Sequence, residues 1–146
     1  MKIILWGIPI LVIATIVMGY FFLSENKETQ VCFSSHCFNA EIADSLKTQK
    51  VGLMFRKTLK KDEGMMFIFP EENIYTFWMK NTLIPLDIIW MDQNKEVVFI
   101  SENNQPCQSD PCPSIDPEVK AKYVLEINAG LSKEIGLSVG DKLEFN

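Results

Sequence analysis

Imidazole and guanidinium groups are nearly missing from this chain of 146 residues, where His36 and Arg56 are the only histidine and arginine. A lone histidine at a hairpin tip between cysteines leaves no Ser–His–Asp or Cys–His assembly to build. Glycine-rich phosphate loops and dinucleotide fingerprints are missing too, so nothing calls for a nucleotide or another cofactor. Neither an internal repeat nor a low-complexity tract occurs. A net charge of −5 without a lysine-rich helix argues against nucleic acid and against docking on anionic lipid. The acidity is that of an ordinary soluble domain.

Charge is also missing from Ile3 to Leu23. At roughly 1.5 Å per residue, a helix of that length just spans a hydrocarbon core of about 30 Å. Trp6 lies near one edge, and Tyr20, Phe21 and Phe22 lie at the other, where aromatic belts belong. Residues 1–23 therefore read as an uncleaved membrane anchor. A signal peptide is the alternative, with Val17-Met18-Gly19 a loose substitute for the missing Ala-x-Ala site. Lys2 precedes the span and the acidic pair Glu25 and Glu28 follows it, which places the body outside the cytoplasm. Residues 24–28 form a short polar neck, and 29–146 form one domain.

What is present supports that location. Cys32/Cys37 and Cys107/Cys112 have identical spacing, and an even count beyond a membrane span implies two disulfides in an oxidising compartment. If Ser34-Ser35 forms a two-residue loop, Cys32 and Cys37 face each other in a non-hydrogen-bonded pair, where side chains come closest. A four-residue loop stays open, since Ser-Ser lacks the residues tight turns favour. The second pair would restrain a proline-rich loop with little regular structure. A zinc site from the cysteines and His36 competes, but zinc pairs are usually spaced more tightly, so no metal is expected.

The body reads as mainly β. Thr29, Val31 and Phe33 alternate, as do Phe38, Ala40 and Ile42, giving a first hairpin. A helix from Asp44-Ser45 to about Gly52 would turn Leu46 and Leu53 inward. Met65 to Phe69, Tyr75 to Met79 and Leu86 to Met91 read as strands, and Asp92 to Lys95 turns into Glu96–Ser101. Tyr123, Leu125 and Ile127 alternate, Asn128 caps a short helix closed by Gly136, and Leu143 and Phe145 lie on a last strand.

Gly52-Leu53-Met54-Phe55-Arg56, Asp62-Glu63-Gly64-Met65, Phe77-Trp78-Met79-Lys80-Asn81-Thr82 and Pro85-Leu86-Asp87 occur in that order. With the Cys107/Cys112 loop, Tyr123-Val124-Leu125-Glu126 and Gly140-Asp141, they resemble the successive motifs of the domain of unknown function 192 family. The likeness runs from about Val31 to Phe145. It implies a compact, jelly-roll-like β-sandwich, commonly exported, and brings no established activity. The Cys32/Cys37 pair is not a fixed part of the family pattern.

The chemistry concentrates in Phe77 to Asp87, where polar groups interrupt an apolar segment. Alternation sets Thr76, Trp78 and Lys80 on one face and Tyr75, Phe77 and Met79 on the other. One reading is an internal ion-pair network joining Arg56 or Lys80 to Asp87 or Glu63. The other is a pocket of Arg56, Glu63, Trp78, Lys80, Asn81 and Asp87, with a stacking face and donors suited to a carboxylate, a phosphate or a sugar. The expected function is non-catalytic binding of a small polar, anionic or saccharide ligand, or of an envelope partner. An envelope hydrolase using Asp87 and Glu63 is the alternative.

Overall fold

The computed structural model describes residues 27–108 and 110–146, so the expected anchor at 1–23 lies outside the described residues. No helix among the described residues is long and apolar enough to cross a membrane. The elements are β1 (Glu28–Phe33), β2 (His36–Ala43), α1 (Leu46–Val51), β3 (Glu63–Asn73), β4 (Phe77–Trp78), β5 (Leu86–Met91), β6 (Val97–Asn104), β7 (Ser114–Ile115), β8 (Ala121–Asn128) and α2 (Leu131–Glu134). The domain is mainly β.

One six-stranded sheet runs in the order β1-β2-β3-β8-β5-β6, with β2 and β3 parallel and the other pairs antiparallel. Where a sandwich of two sheets is expected, the second layer is reduced to the ribbon β4-β7. The C-terminal segment links the sheet's two edge strands: Glu144 exchanges backbone hydrogen bonds with Cys32 of β1, and Val97 of β6 donates to the Asp141 carbonyl. Pairing both edges in this way removes unsatisfied backbone groups that would template aggregation.

Both sheet faces are apolar, which gives the domain two cores. Val31, Ala40, Met66, Ile89, Leu125 and Ile127 point to one face, which α2, Leu137, Leu143 and Phe145 cover. Met65, Phe67, Ile88, Trp90 and Val124 point to the other, covered by Leu53, Phe77, Met79 and Ile84. The central strands are therefore apolar on both sides, and β5 is buried at every position.

Several local expectations hold because short-range geometry decides them. Cys32 pairs with Cys37 and Phe33 with His36, with the cysteine Cα atoms 4.1 Å apart and bridged. Cys107 is bridged to Cys112, so no described cysteine is left as a thiolate for zinc. Ser45 caps α1 in a reciprocal box with Thr48.

Other expectations fail for identifiable reasons. Leu46 is 89% exposed rather than inward, since no residue of α1 is buried and its ties to the sheet are the Gln49 amide, which donates to the Ala43 and Ile68 carbonyls, and the buried Leu53 that follows. The strand expected to stop before Pro70 continues to Asn73, because pairing with β8 lapses between Ile68 and Asn73 and the missing proline donor costs nothing there. Asn128 does not cap α2, whose N-cap is Gly130. Its amide instead donates to the Leu59 and Lys60 carbonyls.

Candidate functional site

The six residues singled out in the sequence separate into four places. Asp87 is fully buried on the first core face, where it accepts from Ser132 Oγ at 2.6 Å, Ser132 N at 3.0 Å and Asn103 N at 2.7 Å. It pins α2 and the end of β6, and neither Arg56 nor Lys80 is its partner. Arg56 forms a two-pronged pair with Glu41, at 2.5 and 2.6 Å. Glu63 pairs with Lys60 at 2.6 Å, and that hydrogen bond holds its carboxyl below the usual carboxylate range. With Lys80 turned to Asp110, the four charges of the expected network each take a partner outside it, and only a weaker attraction between Arg56 and Glu63 survives.

The hydrolase pair is separated as well. Glu63 shares the face of Met65 and Phe67, whereas Asp87 shares that of Ile89 and Met91, so the sheet lies between the two carboxyls. They cannot flank one glycosidic bond.

Trp78, Lys80 and Asn81 stay together. Trp78 is 47% exposed, with the Lys80 ammonium 5.7 Å from its ring centre. Phe77 turns the other way, its ring edge-on to Phe67 and Trp90 at 4.9 and 5.4 Å. Lys80 reaches Asp110 at 3.4 Å. The disulfide loop buttresses this segment from behind, with Cys107 N donating to the Met79 carbonyl at 3.3 Å.

Opposite lies the loop that follows α1. Phe55 N donates to the Asn81 carbonyl at 2.8 Å, tying the two loops together. Both residues have left-handed backbones, at φ 64° and 58°, and Phe55 is 66% exposed. Left-handed conformation is costly for a bulky residue, and such strain gathers at binding and switch regions.

Between the loops a slot of about 30 Å³ descends to Glu126, with Gly52, Phe77, Trp78 and Thr82 among its walls. That is room for one or two water-sized groups. A groove of about 310 Å³ adjoins it and shares Gln49, Lys50, Phe67, Phe77 and Trp78 as walls. Gly52 keeps the slot open. Its φ of +52° resists any other residue, and a Cβ there would lie 3.3 Å from the Phe67 ring and 3.9 Å from Glu126 Oε2. Gly64 lets β3 approach β8, since a Cβ would come within 2.7 Å of the Glu126 carbonyl.

Glu126 is 5% exposed, and its Oε2 is the one buried side-chain oxygen or nitrogen among the described residues with no hydrogen-bond partner. Burial alone raises its pKa to about 8, so at neutral pH the side chain is mostly the neutral acid, able both to donate and to accept. An unsatisfied buried polar atom costs roughly 1–3 kcal/mol, and an apolar residue at this position would avoid that cost.

Sequence reasoning missed Glu126 as a site residue because only the Tyr123, Leu125 and Ile127 face of its strand was followed. The signal was there: a carboxylate on the other face of a strand that is itself largely apolar. Three of the segments that carry the family resemblance, 52–56, 77–82 and 123–126, converge on this slot.

A family model for domain of unknown function 192, described as Uncharacterized ACR, matches residues 29–145. A UPF0127 protein of Pyrococcus abyssi is 33% identical over 110 residues, spanning 72% of this chain and 84% of its own length. A crystal structure of a protein of unknown function from Novosphingobium aromaticivorans is 38% identical, with a TM-score of 0.72 over 80% of this chain and 83% of that one. Another, from Sinorhizobium meliloti and provisionally described as a transcription regulator, is 36% identical, with a TM-score of 0.73 over 81% of this chain and 92% of that one.

Proposed function

Since the chain belongs to the domain of unknown function 192 family, which brings no established activity, we propose a function from its own geometry: a non-catalytic module that binds a saccharide in the groove beside Trp78. One observation carries this reading. A tryptophan half-exposed along a groove wall, next to a slot with a neutral carboxylic acid at its base, offers an apolar ring face and a hydrogen-bonding group side by side. Sugar rings present the complementary pattern of an apolar face and a hydroxyl edge.

An anionic ligand has less support. Arg56 is already paired with Glu41, and Lys80 with Asp110, which leaves Lys50 as the one cation lining the groove and the slot for a carboxylate or phosphate. A nucleic-acid partner has least, because the chain carries a net charge of −5 and one arginine. The slot over Glu126 holds a single carboxylate, one short of the pair that glycoside cleavage ordinarily needs.

The module is held at the outer face of the cell membrane by Ile3–Leu23. Two disulfides support an oxidising compartment. Protease added to intact cells or spheroplasts should degrade the body, and a protected, reduced body would overturn the placement.

Binding is tested by tryptophan fluorescence and calorimetry on the soluble body with a panel of hexose, pentose and amino-sugar oligosaccharides. At least one class should quench Trp78 fluorescence, and Trp78→Ala should abolish the response. A panel that leaves the fluorescence unchanged, or binding that survives Trp78→Ala, would refute the reading.

A further inference from the structure

We propose that Glu126 is the specificity-determining residue of this site, and that the slot above it receives the exocyclic hydroxymethyl group of a hexose stacked on Trp78. The inference rests on the saccharide reading and goes further, to the kind of sugar. Trp78 is a wall of both the groove and the slot, so a ring lying against it borders the slot that Glu126 also lines. The slot holds about 30 Å³, enough for a carbon and an oxygen but too little for an acetamido or carboxyl substituent. Its apolar walls, Phe67, Phe77 and Leu53, suit the methylene, and the Glu126 carboxyl is a further wall, with an Oε2 that lacks a hydrogen-bond partner. A hydroxyl both donates and accepts, matching the two-way capacity of a neutral carboxyl group.

An ammonium fits less well, although a buried carboxyl beside aromatic rings could attract one. Lys50 lines the slot, so a cation would enter against a like charge. Pentoses lack the inserted group and leave Oε2 unsatisfied.

The experiment compares cellotetraose with xylotetraose, read through Trp78 fluorescence, on the parent domain and on Glu126→Gln and Glu126→Leu. The parent should prefer the hexose by about tenfold. Glu126→Gln, which keeps a donor and an acceptor at the same length, should retain most of that preference, and Glu126→Leu should erase it. Both variants should fold, since each removes a buried ionisable group, and circular dichroism checks this. Equal hexose and pentose binding by the parent, or a preference untouched in Glu126→Leu, would overturn the inference while leaving the saccharide reading intact. If no oligosaccharide of the wider panel quenches Trp78, the saccharide reading itself fails and this inference falls with it.

Discussion

Two carboxyl groups buried on neighbouring strands have opposite surroundings. Asp87 on β5 lies across from Ile127, and Glu126 on β8 lies across from Ile88, so their backbones are one step apart in the same ladder. Asp87 faces the core that α2 closes and collects three hydrogen bonds. Glu126 faces the core beneath the loops, and its Oε2 has none. Burial alone does not separate a structural polar group from a functional one. Satisfaction does: a saturated carboxylate locks elements together, while an orphaned one holds folding energy in reserve for something that arrives later.

The strongest way to break this comparison is to remove Asp87. Asp87→Ala should cost about 4 kcal/mol, because two Ser132 donors are stranded in the core and Asn103 N loses its partner. Urea denaturation at neutral pH measures it. A loss under 1 kcal/mol would mean that Ser132 and Asn103 find other partners easily and that Asp87 is no lock.

Glu126 should behave in the reverse sense. Its folded pKa of about 8 lies above its ordinary value of 4.5, so the native state keeps a proton that the unfolded chain has released. The stability linked to that proton is complete below pH 4.5, declines as pH rises, and is gone above about 8. Between pH 5 and 7 the decline should be about 3 kcal/mol, at roughly 1.4 kcal/mol for each pH unit. Glu126→Gln should flatten this slope, as denaturation at a series of pH values would reveal. A slope identical in parent and variant would show that Glu126 titrates normally.

A finer comparison sets Phe77 against Trp78, adjacent residues on opposite faces of one ribbon. Phe77→Ala removes edge contacts to Phe67 and Trp90 and should cost on the order of 3 kcal/mol. Trp78→Ala should cost about 0.5 kcal/mol, as its ring is half in solvent. Thermal melts of the two variants give the ratio. Equal losses would make Trp78 a core residue rather than a binding face.

Local features were legible in the sequence and distant ones were not. The Cys32–Cys37 hairpin follows from six residues and strand geometry, and Leu86–Met91 follows from an apolar run between turn signals. The alternation that exposes Trp78 and turns Phe77 inward was also readable. What governs Asp87 was not, because Ser132 is 45 positions away and comes within reach only when α2 folds over the sheet. Arg56 went to Glu41 for a similar reason: the parallel pairing of β2 with β3 sets Glu41 beside Met65, and local patterns do not announce that pairing. Leu46 misled because a helix of six residues has too few turns for periodicity to define a face.

The protonation state of Glu126 tests the central claim most directly. A ¹³C NMR titration of the glutamate carboxyl carbons, with the signal assigned by its loss in Glu126→Gln, would follow this group alone. The account predicts an inflection near pH 8, far above the ordinary glutamate value of 4.5. An inflection between about 4 and 5 would show a carboxyl that is hydrated or paired in solution, and Glu126 would then not be in need of a ligand.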